Sequence, residues 1–166
     1  KARGCGDASD GTLSSYAIIN LLIFFLQRRG VLPTVQSPSF IENYTARTGK
    51  TVPVEEMEGC VFQFVDDLSY LFRVRRERCK LGLLSRETAA SLLIGFFNFV
   101  STFDSRTQGI SIRLGVPRQR VGGTWDKEPP KRGPVPLAIE DPFERGRDLG
   151  VTWKDRGYLH FQKEVS

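Results

Sequence analysis

Residues 11–27 read GTLSSYAIINLLIFFLQ, and the fold turns on how that run is taken. From Leu13 to Leu26 apolar residues are nearly continuous, without the alternation of a half-buried strand, so the segment predicts a helix buried on most of its sides. The most apolar part, Ala17 to Leu26, has Asn20 inside it and is about half of what a bilayer span needs. It reads as a core helix. Before it, KARGCGDASDG (1–11) is small and polar and suits a loop. The hydroxyl of Thr12 or Ser14 can accept a first-turn N–H and cap the helix. Gln27, Arg28, Arg29 and Gly30 form its polar end, and Pro33 blocks continuation.

Working outward, residues 31–55, VLPTVQSPSFIENYTARTGKTVPVE, carry three prolines and no clear period, and read as an extended surface connection. Phe62, Val65, Leu68, Leu71 and Phe72 recur at helical spacing. They predict a second, amphipathic helix, begun by Glu55, Glu56 and Glu58, whose charges suit a helix dipole, and closed by the basic run Arg73 to Lys80. Arg75, Arg76 and Arg78 can hold RNA there, or can simply compensate the dipole and be solvated. Ser85 has the look of a cap for a third helix through TAASLLIGFFNFVSTFD (88–104). Its broad apolar face is Leu92, Leu93, Phe96, Phe97 and Val100, with Gly95 permitting a close approach. Ile110, Ile112 and Leu114 alternate with Ser111 and Arg113 as a short strand. GVPRQRVGGTWDKEPPKRGPVP (115–136) reads as a long surface loop. The fold class is therefore mainly α with a small β element (α+β), and no internal repeat is visible.

At 166 residues the chain suffices for one ordinary domain with a real core. It is 40% hydrophobic and 26% charged, a globular composition. The net charge of +5, with arginine well ahead of lysine, favours a polyanionic partner, or else describes only a solvated surface. Cys5, Cys60 and Cys79 lack the pairing of zinc sites or disulfide frameworks and read as reduced intracellular thiols. The only histidine is His160, which excludes a histidine-based metal site and a Ser–His pair. Nucleotidyl transfer needs carboxylates close together to hold two metal ions. The chain shows no GS followed by D-x-D, and Asp66 and Asp67, being adjacent, would diverge by about 100° on a helix. The first residue is Lys1, and no cleavable leader opens the chain, which reads as a fragment or processed product of unreadable cellular address.

Two segments are distinctive beyond composition. GTLSSYAIINLLIFFLQ (11–27) resembles the helix start of the template-independent poly(A) polymerase and terminal uridylyltransferase family. LLIGFFNFVSTFD (92–104), ISIRLG (110–115) and AIEDPFE (138–144) look like that family's poly(A)-polymerase-associated region, about residues 85–145, with order and plausible spacing kept. The resemblance implies a helical central domain of a nucleotidyltransferase, whose N-terminal catalytic β-sheet domain is missing from this sequence.

What the resemblance implies can be placed on residues. Lys1 falls where the second of two phosphate-contacting lysines would end, Ser15 matches the serine that meets the triphosphate, and Tyr16 the tyrosine that stacks on the base. Asp141 and Glu144 match the acidic turn that faces the base edge, and Arg147 stands where some uridylyl-adding members carry histidine. Local sequence alone leaves another reading open, in which Ser15 caps, Tyr16 packs and Glu144 pairs with Arg145 or Arg147. Asp148 and Val151 also depart from the family's frequent asparagine and arginine. The parent protein is then expected to transfer UMP or AMP from UTP or ATP to an RNA 3′-hydroxyl, with Mg²⁺ held by the missing domain. Arg118, Arg120, Lys131 and Arg132 of the loop are candidates to track the RNA backbone. No membrane partner is expected, and the compartment would be cytoplasmic or mitochondrial. The alternatives are a catalytically silent relative serving as scaffold or RNA-binding subunit in a ribonucleoprotein assembly, and a plain helical protein-interaction domain.

Overall fold

The computed structural model describes residues 11–82, 87–120, 136–154 and 157. The first helix, α1 (Ser15–Arg28), begins where Ser14 accepts a hydrogen bond from the N–H of Ala17 at 3.1 Å. Ser14 is therefore the cap, and Thr12 is buried just before it. Ala17, Asn20, Leu21, Phe24 and Phe25 face inward, while Ile19 and Leu22 remain exposed. The helix is thus buried on one broad side and not on most sides.

The connection expected over 31–55 contains a helix instead. α2 (Pro38–Thr48) is started by Ser37, whose hydroxyl accepts from the N–H of Phe40, with Pro38 in the first turn, and is ended by Gly49 at φ 69°. Ser-Pro at the start and Gly at the end are strong stop signals. They carried no weight beside a missing apolar period, and the period is missing because only Tyr44 of this helix is buried.

The glutamates expected to open a helix form a hairpin. β1 (Glu55–Met57) pairs antiparallel with β2 (Cys60–Phe62), Met57 opposite Cys60. Between them Glu58 and Gly59 both take positive φ, 53° and 78°, the two-residue turn whose twist matches paired strands. Consequently the next helix, α3 (Leu68–Lys80), starts later than its apolar spacing suggested, capped by Asp67, which accepts from the N–H of Tyr70 at 3.0 Å. Asp67 also receives Lys50 Nζ at 3.1 Å and the Tyr44 hydroxyl at 3.2 Å. Tyr44, Val52, Val65 and Tyr70 are the buried centre of this half, and Tyr44 meets Tyr70 edge to face at 4.9 Å.

The fourth helix, α4 (Ala89–Thr102), is capped by Thr88 through the N–H of Ser91, so Thr88 takes the role expected of Ser85, which lies outside the described residues. Phe96 and Val100 are buried, with Leu92, Phe99 and the following Phe103 half-buried beside them, while Leu93 and Phe97 of the expected face are exposed. α4 packs on α1 through aromatic pairs: Phe25 with Phe96 and with Phe99 at 5.7 Å, and Phe24 with Phe99 at 6.0 Å. Each such pair adds about 0.5–1.5 kcal/mol beyond its buried area. A Cβ on Gly95 would stand 3.3 Å from Phe25 Cζ, so glycine is what brings the helices this close.

After α4 the chain makes short extended pieces. The strand expected over 110–114 is displaced: β3 is Gln108–Gly109, pairing antiparallel with β4 (Arg118–Gln119), and Ile112 to Gly115 turn back, with the N–H of Gly115 on Ser111 O at 2.9 Å. Ile110 still extends the ladder by a parallel bridge to Ile139, and Glu140 makes an antiparallel bridge with Asp148. Ile110, Ala138 and Ile139 are fully buried under α1 and α4. Of the long loop expected over 115–136, residues 121–135 lie outside the described residues. A 3₁₀ turn, Leu149–Thr152, follows, and Gly150 is required in it because a Cβ would come within 1.9 Å of Leu137 O. Buried Trp153 and the N–H of Lys154, bonded to Gly11 O at 2.9 Å, bring the chain back beside the start of α1.

Candidate functional site

The start of α1 and the turn after Glu140 face each other. Because Ser14 caps, Ser15 opens the helix with its side chain exposed. Tyr16 follows with 42% of its surface open. Helix starts carry N–H groups without intrahelical partners and the positive end of the dipole, the environment a phosphate seeks. Asn20, one turn later, is buried, donates to Tyr16 O at 2.9 Å and leaves its Oδ1 without a partner.

The acidic turn is rigid for local reasons. Asp141 Oδ1 accepts from the N–H groups of Phe143 at 3.0 Å and Glu144 at 3.2 Å, and the N–H of Asp141 bonds Arg147 O at 3.0 Å. Asp148 Oδ1 does similar service next door, accepting from Ile139 and Gly150 at 2.9 and 2.7 Å. From outside, Gln36 Nε2 donates to Pro142 O at 3.1 Å, and Phe62 of the hairpin meets Phe143 edge to face at 5.0 Å.

Tyr16 and Asp141 converge although most of the chain lies between them. Burial pushes the Tyr16 phenol above its ordinary value, the charge of Asp141 and a hydrogen bond to it add to the rise, and Asn20 and Arg147 oppose it. Arg147 in turn pairs with Glu144 at 2.9 Å, both side chains being more than half exposed. One of the local readings, pairing of Glu144 with Arg147, is thus realised in the same place where Tyr16, Asp141 and Arg147 meet. The structure brings together four of the expected residues, Tyr16, Asp141, Glu144 and Arg147, with Ser15 beside them on the helix start. Lys1 lies outside the described residues.

The loop candidates fare differently. Arg118 Nη1 is on Glu140 Oε1 at 2.8 Å, and Arg120, partly buried, donates to Ser105 O, so burial holds its pKa below the ordinary value. Both are engaged by the fold itself. Lys131 and Arg132 lie outside the described residues. Among the described residues no three His, Cys, Asp or Glu side chains converge as a metal site, and no helix is long and apolar enough to cross a membrane.

Sequence reasoning passed over Glu140 itself. It is 1% exposed, receives Arg113 Nη2 at 3.1 Å and Arg118 Nη1 at 2.8 Å on Oε1, and accepts from the Ser111 hydroxyl on Oε2. Removing one partner of such a buried pair typically costs about 3–5 kcal/mol, because a charge is left uncompensated. The available signal was an acid set directly after the apolar Ala138 and Ile139, where only a paired carboxylate is tolerable.

Residues 89–147 match the family model described as Cid1 family poly A polymerase. Terminal uridylyltransferase 4 of Homo sapiens is 32% identical over 155 residues, covering 90% of this chain and 8% of that protein. Speckle targeted PIP5K1A-regulated poly(A) polymerase of Homo sapiens is 32% identical over 162 residues, covering 93% of this chain and 16% of that protein. The chain thus spans a small part of the length of the curated relatives it matches. Among solved structures, that of Cid1 with its short product ApU superposes with a TM-score of 0.65 at 24% identity, over 95% of this chain and 45% of that one. That likeness speaks to the fold.

Proposed function

The chain belongs to the Cid1 family of poly(A) polymerases, and from that premise we propose that it is the nucleotide-cradling half of an RNA 3′-terminal nucleotidyltransferase, adding UMP or AMP from UTP or ATP. The observation that carries the reading is the convergence of Tyr16 and Asp141 across the chain. A helix start and a carboxylate turn stand side by side, which suits a nucleotide with its phosphates at one end and its base at the other. The relatives named are transferases and polymerases, which gives a silent scaffold no support.

In this reading the exposed Ser15 hydroxyl and the open N–H groups of α1 take the triphosphate. The Tyr16 ring stacks on the base, worth about 1–3 kcal/mol without demanding a particular one. Asp141, held by two backbone N–H groups, fixes the place of the base edge. Glu144 and Arg147 together offer one acceptor and one donor, a pattern met by the imide edge of uracil and equally by the amino and N1 edge of adenine. Mg²⁺ would supply the charge neutralisation of nucleotidyl transfer from elsewhere in the parent protein, and no residue described here is assigned to it. RNA contact from the loop falls to Lys131 and Arg132.

The test is titration of the intact protein with UTP and ATP in the presence of Mg²⁺, beside extension of a labelled RNA. We expect Tyr16→Ala to weaken nucleotide binding by about tenfold, the loss of one stacking contact, with circular dichroism unchanged. Unaltered affinity would return Tyr16 to a packing role and remove the central support.

A further inference from the structure

The buried carboxylate of Glu140 has partners on one side of the chain and its neighbour Asp141 has partners on the other. Glu140 is gripped by Arg113, Arg118 and Ser111, and Asp141 meets Tyr16 and its own turn. Glu140 sits in extended backbone, bridged to Asp148 and with its N–H on Ile110 O at 2.9 Å. Successive side chains of an extended segment point to opposite faces. Whatever holds Glu140 on one face therefore aims Asp141, itself buried at 5% exposure, to the opposite face, where Tyr16 lies.

We infer that Glu140 is a positioning residue for nucleotide binding: clamped by Arg113, Arg118 and Ser111, it fixes the direction in which Asp141 meets Tyr16 at the proposed nucleotide site. The clamp is built from three separate points of the chain. Ser111 is fully buried, and its Oγ also accepts from the N–H of Leu114 at 3.2 Å, which fixes the turn bearing Arg113. That turn is tied to α1 by Gln27 Nε2, which donates to Ile112 O at 3.0 Å. Arg118 lies in β4 and reaches the same oxygen as Arg113. Loss of the Glu140 charge removes the carboxylate that the Arg113 and Arg118 guanidinium groups share. The segment carrying residues 140–141 is then the part that must shift.

This inference rests on the proposed nucleotide site, but its test need not. In the intact protein carrying ¹³Cζ-tyrosine, Tyr16 is assigned with Tyr16→Phe and its titration followed by NMR, since Asp141 acts directly on that phenol. Glu140→Gln is expected to lower the titration midpoint of Tyr16 and to raise KM for UTP about tenfold, with kcat changed less than about threefold, the signature of lost binding geometry. Glu140→Asp, which keeps the charge, should fall between. Arg118→Gln, at a half-buried position more tolerant of change, should move both readouts in the same direction, which covers the case in which Glu140→Gln does not fold. A Tyr16 titration and a KM both unchanged, even with a lowered melting temperature, would make the clamp a matter of stability alone and overturn the inference. If the wild-type protein transfers no nucleotide, the functional reading fails, and the Tyr16 titration by itself still decides whether Glu140 aims Asp141.

Discussion

Arg147 stands where the resemblance implies a histidine in some uridylyl-adding members. A guanidinium in place of an imidazole keeps its charge at every physiological pH, and here it sits on Glu144 at 2.9 Å. A carboxylate so paired is a weaker acceptor for a base edge. Arg147→Ala unpairs Glu144 and leaves an acceptor that favours a hydrogen-bond donor such as the N3–H of uracil. We expect the ratio of kcat/KM for UTP over ATP to rise by about three- to tenfold, a discrimination of the size one polar contact gives. Steady-state assays with each nucleotide at saturating RNA would measure it, and an unchanged ratio would mean that Arg147 does not touch base choice. At this scale much was legible. Ser15, Tyr16, Asp141, Glu144 and Arg147 were identified from ordered motifs, and the structure brings Tyr16 to Asp141 and Arg147. Glu140, one residue from Asp141, was not, because a buried acid is recognised by partners that local sequence does not reveal.

Among the elements, helices with a buried stripe were readable and those without one were not. α1 and α4 bury five and two residues of apolar runs respectively, together with partly buried neighbours, and their periodicity gave them away. α2 buries only Tyr44, so its sequence lacks a period and its caps were the sole sign. The hairpin was hidden by a different effect. Glu58 adopts φ 53°, a conformation unusual for a residue with a long side chain, so the familiar Asn-Gly or Asp-Gly signature is replaced by Glu-Gly. That substitution makes a prediction. Glu58→Asn places a residue suited to positive φ in the same turn and should stabilise the protein by about 0.5–1 kcal/mol. Urea denaturation would show it as a raised midpoint at constant slope, and a lowered midpoint would mean that the Glu58 side chain makes a contact outweighing its backbone strain.

The two buried clusters divide the labour of the whole molecule. One, around α1, α4 and the segment 137–139, carries the helix start and the acidic turn; the other, around α2 and α3, carries the hairpin. Outside both clusters, the hairpin and the segment before α2 reach the acidic turn, where Phe62 packs on Phe143 and Gln36 donates to Pro142 O. Support for the acidic turn therefore comes partly from the hairpin. Phe62→Ala should weaken UTP binding by about three- to tenfold through loss of one edge-to-face pair, with the helical circular dichroism retained. Isothermal titration would check it, and an unaltered affinity would show that Glu140 and the local hydrogen bonds hold the turn without help.

The hydrogen bond from the N–H of Lys154 to Gly11 O gives the molecule a built-in reporter. It joins the segment after the 3₁₀ turn to the residue that leads into α1, so this amide can exchange its hydrogen with solvent only when that junction opens. A nucleotide settling on the first turn of α1 would hold the junction shut, and exchange at Lys154 should slow with rising UTP by the factor that ligand linkage prescribes. Occupancy of the site would then be legible at a single backbone position.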